Sequence, residues 1–260
     1  MAYPTITHRQ RMLMMKGIEN GSFPKKLYKY RTTEQALMFL DNSNAYFAKS
    51  KEFNDPFDCK MHIETNVTIE ALANWLKQQN YKGDVYEGAR KRLFDSVKLH
   101  EITQEAVEHT IDTLGIFCCS IVCDSILMWA HYAHNHEGVC LEFDISEDVD
   151  FFCFPKKVEY DMEYPSIDYY THSEEVTNAL FHKYKAWKYE KEYRIIKLGF
   201  SGLHQMNPLA LKNIIVGCKT SDSDLHRLRE KVQQNNVWNH VGFKRVVMDS
   251  REYKLQVSNV

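Results

Sequence analysis

The period of hydrophobic and polar positions changes repeatedly along the chain, and each change predicts an element. Residues 5–19 (TITHRQRMLMMKGIE) are basic, methionine-rich and helical in spacing. Leu27-Tyr28-Lys29-Tyr30-Arg31 alternates like a short strand, because neighbours on an extended chain face opposite ways. Thr32 and Thr33 offer an N-cap for a helix over 34–40, with Ala36, Leu37, Phe39 and Leu40 on its packing side. A turn at Asn42-Ser43-Asn44 leads to a second strand over 45–48 and then a polar loop, 49–58, that contains Asn54-Asp55-Pro56-Phe57-Asp58. Helical spacing runs from 68 to 113, predicting three amphipathic segments broken near 82–84 and 100–103.

Beyond it the pattern predicts an apolar strand at 115–121 and a short helix at 126–133, capped by Asp124 or Ser125. An alternating strand at 137–145 follows, with further strands near Phe151 and at 158–160. A helix at 173–186 leads into a strand at 190–198, then a strand at 213–216, a helix at 222–234, and strands at 243–248 and 252–257. Strands and helices follow one another without regular βαβ alternation. The expected class is α+β: one domain over 1–260 with a helical insertion at about 68–113.

Composition narrows the function. At 44% apolar and 26% charged residues the chain is not wholesale disordered. A net charge of -2 argues against binding nucleic acid through bulk charge, and leaves only a local patch, best offered by Lys25, Lys26, Lys29, Lys49 and Lys51. The scattered 10 Gly and 6 Pro fit neither phosphate-cradling loops nor repeats. Seven Cys without CxxC spacing, and no long apolar run, lead to the expectation of a reduced, cytoplasmic chain with no membrane partner. GxGxxG, HExxH and GxSxG are absent, and Gly217-Cys218-Lys219-Thr220 lacks the earlier Gly of a Walker loop, since residue 212 is Lys.

Four constellations remain. In Trp187-Lys188-Tyr189-Glu190-Lys191-Glu192-Tyr193-Arg194, strand alternation places Glu190, Glu192 and Arg194 on one face. Carboxylates roughly 7 Å apart raise each other's pKa and suit chemistry that develops positive charge, although spacing alone favours a solvated strand with a Glu–Arg pair. Tyr28-Lys29-Tyr30-Arg31 carries cations and rings that hold a nucleotide, or else forms an edge strand. Asn54 to Asp58 is a structural or substrate-facing loop. Trp129, His131 and Tyr132, on the predicted helix, wall a flat-ring pocket or fill the core, and the neighbouring His134 and His136 lack the partners a metal site needs, so no metal is expected.

The order LYKYR, AYFAKSKEFNDPFD, LMWAHYAHNHEGVCLEFD and KAWKYEKEYRII resembles a bacterial domain of unknown function often carried in prophages and defence islands, over about 27–196. Its layout is also similar to the ADP-ribosyltransferase superfamily. That resemblance implies a split antiparallel sheet with NAD as substrate. It implies a catalytic Glu192 bonding the nicotinamide ribose, and Glu190 positioning or activating the acceptor. Lys29 or Arg31 would hold NAD, and Tyr28, Tyr30, Tyr46, Ser50, Asn54, Trp129, His131, Tyr132 and Arg194 would build the pocket. Ala48-Lys49-Ser50 stands where such transferases carry Ser-Thr-Ser. The implied role is a toxin or defence effector that modifies RNA or protein and has an antitoxin partner. An NAD glycohydrolase and a non-enzymatic sensor that reads a phage component are the alternatives.

Overall fold

The computed structural model describes residues 6–64, 68–79, 83–93 and 96–260. The strands, in chain order, are β1 (Lys26–Arg31), β2 (Asn44–Phe47), β3 (His62–Ile63), β4 (Gly115–Ser120), β5 (Val139–Asp144), β6 (Lys156–Lys157) and β7 (Glu159–Asp161). They continue with β8 (Ser166–Ile167), β9 (His182–Tyr184), β10 (Glu192–Lys197), β11 (Gly202–Gln205), β12 (Leu211–Val216), β13 (Gly242–Met248) and β14 (Leu255–Asn259). The α-helices are α1 (His8–Glu19), α2 (Thr33–Asn42), α3 (Ile69–Gln78), α4 (Gly83–Leu93), α5 (Ser96–Asp112), α6 (Ile126–Tyr132), α7 (Glu175–Ala179) and α8 (Asp222–Gln233).

Among the described residues the main sheet has eight strands in the order β14-β13-β12-β5-β1-β4-β10-β6, antiparallel except for β12 beside β13. Alternation sorts its residues. Leu27, Leu141, Phe143 and Ile214 turn to the face covered by α1, α2 and α8, while Tyr30, Cys140, Ile215 and Val246 turn to the face covered by α6. The first face carries a phenylalanine cluster, with the Phe47, Phe117 and Phe151 rings packed edge-on or tilted at 5.2 to 5.4 Å. The class is mixed α and β around a large, mostly antiparallel sheet.

One junction in that sheet is nearly open. β1 matches β5 at six positions and β10 matches β4 at six, but β1 meets β4 only at Tyr28 opposite Ser120. From that pair the strands diverge toward Arg31 and Phe117. The far end of β4 is bonded instead to Ala48, whose amide donates to Ile116 and whose carbonyl accepts from it at 3.0 and 2.8 Å. The sheet thus forks between β1 and β4.

Several sequence expectations give way here. The second break in the helical insertion does not fall at 100–103, because α5 runs unbroken through those residues and is separated from α4 before Ser96. Thr103 belongs to a buried stripe with Leu99 and Val107, and its hydroxyl bonds the Leu99 carbonyl at 2.6 Å. The first expected break falls beside residues 80–82, which lie outside the described residues. The helix expected at 173–186 shrinks to α7, because the carbonyls that would continue it are claimed elsewhere: Leu180 by Arg194 and Phe181 by the Glu159 amide. No strand forms at Phe151. Asp148 folds that segment into a turn by accepting from the amides of Phe151 and Phe152, and both rings are buried.

Candidate functional site

The fork opens into a cleft of about 760 Å³. Lys29 and Arg31 stand on the same side of β1 as Leu27 and reach it from one arm. The Lys29 ammonium crosses to the Cys118 carbonyl on β4 and lies 4.7 Å from the Phe117 ring. It braces the open edge where β1 no longer pairs. Burial, with Arg31 beside it, pulls the Lys29 pKa down to about 8. Arg31 is half-buried, and among the described residues no carboxylate or hydrogen-bond acceptor partners its guanidinium. A Cβ at Gly138 would lie 2.3 Å from the Arg31 carbonyl, so only glycine lets the chain pass at that end of β1.

The other arm is built on charge. The chain from Lys185 to Glu190 forms a 3₁₀ turn, and Lys191, in the left-handed region at φ 44°, swings it into β10. Glu190 therefore belongs to the turn and Glu192 to the strand, which replaces the single strand expected over 190–198. Both carboxylates still converge. Lys183 donates to Glu190 at 2.6 Å and lies 3.4 Å from both Glu192 and Asp58. Arg194 bonds Glu192 at 2.8 Å through Nε and grips Asp58 at 2.8 and 2.7 Å. Tyr132 donates its hydroxyl to Glu190 at 2.6 Å, and the Glu192 amide donates to the Tyr160 hydroxyl at 2.9 Å.

These side chains are almost wholly buried, and their charges do not cancel: three carboxylates against two cations leave one negative charge. Burial pushes the Glu192 pKa up, but Arg194 and then Lys183 outweigh it and hold the carboxyl well below its usual range. Glu190 goes the other way, raised first by burial and further by Glu192. For Lys183, burial would lower the pKa, yet Glu192, Glu190 and Asp58 together raise it. The floor of the cleft thus holds one firmly ionised carboxylate beside one that takes up a proton more readily.

Of the residues singled out in the sequence, Tyr28, Lys29, Tyr30, Arg31, Tyr46, Asn54, His131, Tyr132, Glu190 and Glu192 all border this cleft. Tyr30 does so with its ring turned to the opposite face, its hydroxyl on the Val122 carbonyl at 2.9 Å. Tyr46 stands at the rim and donates to Glu52. Three expectations are corrected. Trp129 is fully buried, its indole donating to the Cys123 carbonyl at 2.8 Å and its ring edge-on to Tyr30 at 5.3 Å, so it is core and does not wall the pocket. Arg194 lies behind Glu192, with no access to the cleft. Ser50 starts a 3₁₀ turn away from the lining. Replacing Trp129 with Phe is expected to lower stability by about 1–3 kcal/mol, because the Cys123 carbonyl loses its donor, and to leave ligand affinity unchanged; urea unfolding and titration check the two.

Sequence reasoning missed Lys183, which sat inside the expected helix, and treated Asp58 only as a loop residue. One signal did point to them: a strand reading Glu-Tyr-Arg-Ile-Ile cannot bury its charges without partners supplied from elsewhere in the chain.

Residues 128–195 match a family described only as protein of unknown function (DUF2971). That stretch carries Tyr132, Lys183, Glu190, Glu192 and Arg194, all of the charged arm described above except Asp58. No curated protein and no solved structure matches the chain.

Proposed function

We propose that the cleft takes NAD as a substrate and transfers its ADP-ribose to a macromolecular acceptor, RNA or protein, releasing nicotinamide. The observation that carries this reading is the presence across the fork of Arg31, a guanidinium with no partner among the described residues, and Glu192, a buried carboxylate held ionised. A pyrophosphate dinucleotide makes both demands: a dianion to grip, and a ribose carbon on which positive charge builds as its bond to nicotinamide breaks. The cleft volume of about 760 Å³ falls within the range of small-molecule sites, roughly 300–1,000 Å³. A sheet whose halves join at one residue pair also supports the likeness to the split sheet of ADP-ribosyltransferases.

In this mechanism the bond between the nicotinamide nitrogen and the ribose carbon breaks, and its electron pair leaves with neutral nicotinamide. Glu192 stabilises the cationic ribose, aided by the surplus negative charge of the cluster. The acceptor's lone pair forms the new bond. Its proton passes to Glu190, whose raised pKa suits a base. Arg31 anchors the pyrophosphate, while Lys29 keeps the fork open and adds positive potential. Such an activity fits a toxin or defence effector restrained by an antitoxin.

The test mixes the protein with NAD labelled on its adenylate side and bacterial lysate, part digested with ribonuclease and part with protease. Label moving onto macromolecules is the expected result. Nicotinamide release without transfer identifies a glycohydrolase, and absence of any turnover rejects the enzyme in favour of a sensor. Arg31→Gln is expected to raise the KM for NAD roughly 10- to 150-fold, the worth of a charge-assisted contact, with kcat little changed. Because Lys29 is protonated below about 8 and neutral above it, NAD affinity is expected to fall as pH rises through that value. Lys29→Arg should flatten that profile.

A further inference from the structure

The lysines that the sequence offered for a basic patch are largely committed: Lys25 pairs with Asp144, Lys26 with Glu142 and Lys51 with Asp112, while Lys29 braces the fork. A different set is free. In a 3₁₀ turn residues three apart stand over one another, so the turn over 185–190 sorts its side chains into rows. Trp187 and Glu190 form the inward row, with Trp187 5.0 Å from the Lys183 ammonium and Glu190 in the charge cluster. Lys185 and Lys188 form an exposed row, and Lys191, just past the turn, is exposed as well. Among the described residues none of these three has a carboxylate within ion-pair distance.

Beside this row is a group of rings. His131, Trp187 and Tyr189 lie with centroids 6.0 to 6.3 Å apart, and His131 also borders the cleft. Nearby, Tyr132, the next residue after His131, bonds Glu190. Exposed cations without a carboxylate partner, next to accessible rings, are what a flexible polyanion with stackable bases requires. In a chain of net charge -2 this is a local concentration of positive charge.

We propose that the rim formed by Lys185, Lys188 and Lys191 with His131, Trp187 and Tyr189 binds single-stranded nucleic acid, its phosphates along the lysines and a base stacked on the rings. As the acceptor site of the transfer reaction it rests on the reading above; as a binding surface it stands without NAD. The row ends next to Glu190, the residue placed to take the acceptor's proton.

The experiment is fluorescence anisotropy of a labelled, unstructured RNA, and of the matching DNA, titrated with the full chain without NAD across roughly 50 to 200 mM salt. The wild-type chain should bind, with affinity falling as salt rises. A Lys185→Gln/Lys188→Gln/Lys191→Gln variant should lose about two units of the slope of log affinity against log salt, at about 0.7 per phosphate. Trp187→Leu should weaken binding roughly 5- to 150-fold, the worth of one stacked base. A control with the exposed Lys16, Lys219 and Lys254 changed to Gln should bind as the wild type does. Failure to bind either probe, or equal loss in the control, would overturn the proposal; transfer of ADP-ribose to protein alone in lysate would overturn the role as acceptor site. A wild-type chain that binds RNA but does not turn over NAD would reject the transferase reading and leave the surface standing.

Discussion

Replacing Glu192 with Gln should reduce NAD turnover about 10²- to 10³-fold while leaving the chain folded. The magnitude is that of removing one preorganised electrostatic contact to a charge that exists only in the transition state. The retained fold follows from the cluster itself. With Glu192 neutral, Asp58 and Glu190 balance Lys183 and Arg194, and Arg194 keeps its grip on Asp58 and on the Leu180 carbonyl. The fall should appear in kcat more than in KM, because in the proposed mechanism Arg31 would still hold the pyrophosphate. Nicotinamide release followed beside a thermal melt separates the two effects. Wild-type turnover by the variant would remove Glu192 from the chemistry, and a collapsed melt would show that the carboxylate serves the fold. Glu190→Gln differs in kind: it should depress transfer more than nicotinamide release, since it removes the base and leaves the ionised partner in place.

The site was legible in the sequence where alternation or local chemistry carried it. Tyr28 to Arg31 form a strand because apolar and polar residues alternate there, and that same alternation sends Lys29 and Arg31 to one side. Alternation failed between Glu190 and Glu192, because a single residue in the left-handed region, Lys191, shifts the chain out of register, and a lysine in such a position has no sequence signature. Lys183 was hidden for a related reason. A three-residue strand such as β9 is too short to show a period, and its place is set by pairing with β7. Trp129 and Tyr132, three apart on a helix, pack on the same cluster, but the larger ring is fully buried in it while the hydroxyl-bearing ring reaches Glu190, a division that spacing alone does not reveal. The fork itself lay beyond sequence reading altogether, because it is an absence of pairing between strands 84 residues apart, Arg31 to Gly115.

Arg194→Met should be the most destabilising single change in the molecule, at about 3–5 kcal/mol near neutral pH. It leaves Asp58, Glu190 and Glu192 facing Lys183 alone, two uncompensated negative charges in a buried site, and strands the Leu180 carbonyl. The pH dependence makes the cause identifiable. In the wild-type chain Glu192 is more acidic than its ordinary value of 4.5, so its stabilising contribution is complete above that value and is lost as pH falls toward its depressed folded value. Removing Arg194 takes away the largest influence opposing burial, so burial then raises the Glu192 pKa and the sign reverses: the variant is relieved as the surplus carboxylates take up protons. The gap between the two chains should therefore be widest near pH 7 and narrow steadily on acidification, as read from urea unfolding at a series of pH values. Lys183, raised above its usual 10.5, contributes equally to both chains across this window, because its share is lost only above that value. A constant gap would mean that Arg194 acts through packing against Phe53, 5.5 Å from its guanidinium, and that the ionised state of Glu192 has some other support.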